Sequence, residues 1–94
     1  MWDDVKEAVS AELLAYTDLL TLRGDSRAHV KQVRAAEEAW LDAHGARHRA
    51  LITHWTPEDG TYDNGEPGGA KSAGRVLQRY YAETGVKKKE GKSG

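Results

Sequence analysis

Cysteine and phenylalanine are both missing from the 94 residues, methionine occurs once and proline twice. Without cysteine there is no disulfide, no thiolate zinc site and no cysteine nucleophile, a composition that suits a reducing compartment. Without phenylalanine a core has to be built from three Trp, four Tyr and the Leu, Val and Ile residues. A chain of this length buries only about two-thirds of the surface its unfolded form exposes, so one modest core and no deep cleft are expected. No apolar run is long enough to span a bilayer. The opening Met1-Trp2-Asp3-Asp4 is acidic where a secretory signal is basic. The expected location is therefore cytoplasmic.

What is present is unevenly charged. Residues 1 to 66 carry 7 Lys or Arg against 13 Asp or Glu, whereas residues 67 to 94 carry 7 against 2, and the whole chain is −1. An acidic body with a basic end calls for an anionic partner at that end, or for pairing within or between chains.

The periodicity predicts an all-α fold of three helices, at about 4–22, 27–55 and 70–84, in a single helical domain spanning 1–86. In the first, Val5, Val9, Leu13, Tyr16, Leu19 and Leu20 share an arc of roughly 120° at about 100° per residue. Asp3 or Asp4 can cap it, Asp4 and Glu7 have capping-box spacing, and Gly24 supplies a left-handed stop. Leu14 and Leu22 lie off the stripe and slightly favour self-association. Asp25 or Ser26 caps the second helix, which Pro57 ends. Gly45 is a potential break. Yet no capping residue follows it, and Val33, Glu37, Trp40, His44, His48, Leu51 and Trp55 keep one phase across it, so the helix is expected to continue.

Residues 56–69 hold four of the ten glycines and both prolines and are expected to form a loop. It starts with a short helical turn at Thr56-Pro57-Glu58-Asp59. The third helix has Ala73, Val76, Leu77 and Tyr80 on one stripe, and Gly85 is its stop. Residues 87–94, with four lysines and nothing to bury, are expected to be a disordered basic tail.

Three groups of residues suggest chemistry. Gly65-Glu66-Pro67-Gly68-Gly69-Ala70-Lys71-Ser72 matches a phosphate-binding loop except at Ala70, where that pattern has its last glycine. No strand precedes it and no second strand supplies an acid for magnesium, so nucleotide hydrolysis is a remote reading. A general anion site survives. Lys71, Ser72, Arg75 and Arg79, followed by Lys87, Lys88 and Lys89, form a positive row that would track a nucleic-acid phosphate backbone. The bland alternative is a solvated helix face with a solubilising tail.

His44 and His48 share a helical face, but Gly45 stands where a metalloprotease has its general base, and spacing supplies two of the three or four ligands zinc requires. No metal, no cofactor and no catalytic constellation is expected. Trp40, His44, His48, Leu51, Ile52 and Trp55 are better read as one apolar face. A second helix of nearly thirty residues outruns the first, so the end bearing Leu51, Ile52 and Trp55 calls for a second copy. The expected function is a small non-enzymatic interaction or assembly module, self-associating through the second helix. Nucleic-acid binding through the third helix and tail is the alternative, and a metal- or phosphate-dependent enzyme the remote one.

Overall fold

The computed structural model describes residues 1–60 and 69–85. Within them the chain is all-α: α1 is Asp3–Arg23, α2 is Val30–Thr53, a 3-10 turn follows at Pro57–Asp59, and α3 is Ala70–Thr84. Most of the predicted loop, and the basic tail with Lys87, Lys88 and Lys89, lie outside the described residues. The chain divides into two compact units, 1–50 and 51–94, with the boundary falling inside α2.

In the first unit α1 and α2 form an antiparallel hairpin. Its rungs descend in order: Arg23 bonds Glu37 at 2.9 Å, the rings of Tyr16 and Trp40 lie 5.9 Å apart, and the Trp40 indole N–H donates to Glu12 Oε2 at 2.9 Å. This line of contacts runs along one edge of the predicted α1 stripe. Val5 and Leu19 are buried, but Leu13, Tyr16 and Leu20 remain 46, 41 and 48% exposed. Two helices meet along a seam, which is narrower than a 120° stripe, and nothing in this unit covers the remainder.

The helix ends depart from expectation in three places. Asp3 and Asp4 lie inside the first turn of α1, where their charge faces the positive end of the dipole, while Trp2 holds the cap position with no side-chain cap bond. Asp4 accepts from the neighbouring Val5 N–H at 2.9 Å, from within the helix rather than from its cap position. Gly24 ends α1 with φ −84°, in the right-handed region, so no left-handed stop is used there. The second helix begins at Val30, three residues after its predicted start, because Asp25 turns its carboxylate onto the Arg27 N–H at 2.9 Å and closes a local turn. The cap falls to His29, whose Nδ1 accepts from the Lys31 N–H at 3.0 Å while the Gln32 side chain accepts from the His29 N–H at 2.8 Å. That is the reciprocal arrangement of a capping box with an imidazole in place of a hydroxyl.

Gly45 is passed without a break, as the unbroken phase predicts. A Cβ placed there would meet only the far end of the Arg49 side chain, at 3.4 Å. In the second unit the predicted helical turn is present with a full capping box between Thr56 and Asp59. The α3 stripe is buried at Ala73, Val76 and Tyr80. Gly85 closes α3 in the left-handed conformation at φ 75°, its N–H bonded to Tyr81 O.

Candidate interaction surfaces

Two kinds of site emerge, one closed and one open. The closed one is in the second unit. Arg79 reaches from α3 to the 3-10 turn and grips Asp59 with two bonds, Nε to Oδ1 at 3.1 Å and Nη2 to Oδ2 at 3.0 Å. The same Nη2 donates to the His54 carbonyl at 2.6 Å, just past the last residue of α2. Asp59 Oδ2 also receives the Thr56 N–H and hydroxyl, at 2.9 and 3.3 Å. Asp59 is 5% exposed, and its carboxylate accepts from Arg79 and from the N–H and hydroxyl of Thr56. The Arg79 guanidinium beside it holds the Asp59 carboxyl below its ordinary value, against the opposing push of burial. Reciprocally, the bond to Asp59 holds Arg79 above its own.

Gly60 completes this arrangement. Its φ of 86° and ψ of 159° belong to a region open essentially to glycine alone. That conformation points its carbonyl at two donors, the Trp55 indole N–H at 2.9 Å and the Ser72 hydroxyl at 3.4 Å. Trp55, Ser72, Asp59 and Arg79 are thereby committed to one another's surroundings inside a single chain.

This changes the predicted positive row. Arg79 turns inward to a buried carboxylate and Ser72 is fully buried, so neither stands on an anion-facing surface. Lys71 and Arg75 stay exposed, and with Gly74 and Gln78 they line a shallow depression of about 250 Å³. The Asp59 carboxylate, near the glycine loop in sequence, is already taken up by Arg79 and Thr56. Among the described residues no group of three or more His, Asp or Glu side chains is placed to hold a metal ion.

The predicted α2 interface is likewise drawn into the chain. Trp40 donates to Glu12, and the His44 ring lies 5.5 Å from that of Trp40 with its Nδ1 3.7 Å from the same Glu12 oxygen. His48 and Ile52 are half-buried and Leu51 is 2% exposed. The length argument that left Leu51 and Trp55 for a second copy therefore loses its premise: one is buried and the other is bonded to Gly60.

The open site is in the first unit. One side of the α1–α2 hairpin is a groove of about 740 Å³, with Leu14, Ala15 and Leu22 on one wall and Ala35, Ala36 and Ala39 on the other. Leu14 stands 70% exposed at its rim. The two leucines are those that fell off the α1 stripe, which was the available signal; the alanine wall opposite gave none, because alanine is as common on a solvated helix face as on a packed one. The large apolar side chains left exposed, from Met1 to Leu41, all belong to this unit, and none of the described residues of the second adds to them.

Compared with known proteins, the chain matches no family model, no curated protein and no solved structure. No helix among the described residues is long and apolar enough to cross a membrane.

Proposed function

We propose that the chain is a small non-enzymatic helical interaction module that assembles with copies of itself, α2 supplying part of the surface that meets the partner. The supporting observation is the concentration of exposed apolar surface on α1 and α2: Leu13, Leu14, Leu20, Val30 and Leu41 are each between 46 and 70% exposed. Single exposed leucines are ordinary on a soluble protein, but four leucines and a valine on one two-helix unit are a concentration of the kind that marks an association surface. Burying such surface gains about 25 cal/mol per Å², enough in aggregate to hold two small subunits together.

A second reading, binding to a phosphate backbone, is favoured by Lys71 and Arg75 on the outer face of α3. It ranks behind because Arg79 and Ser72 are turned inward, leaving a short row. Sedimentation of the pure protein with and without a short duplex DNA separates the two. Self-assembly predicts a mass above that of the monomer at tens of micromolar, unaffected by DNA; a strictly monomeric protein that co-sediments with the duplex, in a salt-sensitive way, reverses the ranking.

A further inference from the structure

We infer that the start of α2 is a pH-sensitive cap: His29 secures the first turn as a neutral ring and releases it when the ring takes up a proton. The inference is independent of self-association. The side chain that caps a helix is ordinarily a hydroxyl, an amide or a carboxylate, and none of these changes its charge near neutrality. An imidazole does, between about pH 5 and about pH 8. The geometry makes that difference matter, because His29 Nδ1 serves as an acceptor and takes the Lys31 N–H at 3.0 Å. A ring nitrogen that accepts carries no proton, so the neutral imidazole holds its one hydrogen on Nε2. Protonation places the second hydrogen on Nδ1, where it meets the Lys31 N–H donor to donor, and the bond is lost.

The surroundings act in the same direction. The first N–H groups of α2 are the positive end of its dipole, which disfavours a cation at the cap. The ionisable groups at this end of the hairpin are Lys31 on α2, Asp25 and Arg27 in the turn, and Arg23 on α1 with its partner Glu37 on α2. Both carboxylates are engaged elsewhere. Asp25 accepts the Arg27 N–H at 2.9 Å and lies 3.7 Å from Arg27 Nε, while Glu37 bonds Arg23 at 2.9 Å. Among the described residues no carboxylate lies within ion-pair distance of the His29 ring, so no such attraction compensates for the lost bond. The other half of the cap does not titrate, since the Gln32 side chain accepts from the His29 backbone N–H at 2.8 Å whatever the state of the ring. The contribution of the ring is therefore complete in mildly alkaline solution and is lost as the pH falls through the imidazole range, loosening the first turn of α2 while the Gln32 bond remains. The ring is exposed, so the proton reaches it from solvent.

The test compares the full chain with His29→Asn, which keeps an accepting oxygen at the cap and the backbone N–H for Gln32 but does not titrate. Asparagine is among the preferred cap residues and position 29 is exposed, so the variant folds. Urea unfolding of both proteins is followed at about pH 7.5 and about pH 5.5, on either side of the imidazole midpoint. His44, His48 and His54 are present in both, so the difference between the two proteins isolates His29. A cap bond is ordinarily worth about a factor of five in the unfolding equilibrium, and the wild type should lose about that factor more than the variant on acidification. Nitrogen NMR of the imidazole should find the neutral ring protonated on Nε2, and the Lys31 amide should shift in step with protonation of the ring. Equal acid sensitivity in the two proteins, or a neutral ring that carries its proton on Nδ1, overturns the inference.

Discussion

The two units use their polar residues in opposite ways. In the first, charged side chains lie along the hairpin seam near the surface: the Arg23–Glu37 pair is about half exposed, and the Glu12 carboxylate serves Trp40 from the edge of the contact. Apolar residues spill out on either side. In the second, one charged pair is inside. Asp59 and Arg79 form the hub, a glycine-specific turn aims a carbonyl at two further donors, and the described residues leave no large apolar side chain exposed. A unit this small cannot enclose a large apolar core, so the second stabilises its turn with a satisfied polar network, whereas the first leaves its core incomplete. The difference teaches where to look for a partner: a surface whose hydrogen bonds are all made has little to gain from association, and one with unburied leucines has much.

The sharpest way to break this contrast is to open the closed unit. Arg79→Ala leaves Asp59 buried without its partner and should cost about 3–5 kcal/mol in chemical denaturation. Arg79→Lys, which keeps the charge but loses the two-pronged geometry, should recover only part of that. A loss under about 1 kcal/mol in Arg79→Ala would mean that the pair is solvated and that the second unit is held by its apolar stripe alone. Gly60→Ala comes next, at about 1–3 kcal/mol, because the alanine Cβ is strained at positive φ whatever space surrounds it. A neutral outcome in thermal unfolding would show that the turn relaxes freely and that the Trp55 and Ser72 bonds do not depend on it.

Acid should act on the same unit. Asp59 is held below its ordinary value of 3.8, so the folded chain keeps this carboxylate ionised at pH values where the unfolded chain has begun to protonate it. Its contribution is complete well above that value and is lost as the pH falls through the lower folded one, at up to about 1.4 kcal/mol per pH unit in that window. Asp59→Asn should flatten this part of the stability profile. An unchanged acid slope in the variant would place the linkage elsewhere.

The smallest effects are expected from the glycines inside helices. Gly45→Ala should stabilise by up to about 1 kcal/mol, since α2 is helical there and the added methyl meets only the tip of Arg49; Gly74→Ala, with open space around it, should do the same. A loss of stability in Gly45→Ala would mean that the Arg49 side chain does not yield and is itself part of the structure.

Helix existence and type were legible because periodicity reports packing on either side of a residue within its own segment. The unbroken phase from Val33 to Trp55 carried α2 through Gly45, and the Thr56-Pro57-Glu58-Asp59 pattern placed the 3-10 turn. Two things were not legible. The caps moved because several residues compete for each one: Asp25 satisfies a nearer N–H than the helix it was expected to start, and His29 takes its place. The inward turn of Arg79 was hidden because its partner lies 20 residues away, across the glycine loop, and spacing within α3 reads an arginine four residues from Arg75 as one more member of a surface row. The open groove was half legible, through Leu14 and Leu22 and not through the alanines facing them.

The bond from Arg79 to the His54 carbonyl also sets which parts of the backbone open together. Without it, the last turn of α2 would fray on its own, as helix ends do, and its amide hydrogens would exchange quickly with solvent. With it, releasing that carbonyl requires α3 to release Arg79, and with Arg79 goes the turn at Asp59. Amides of residues 54 and 55, bonded to Leu51 and Ile52, should therefore exchange at rates set by the opening of α3 rather than by local fraying, as one cooperative segment.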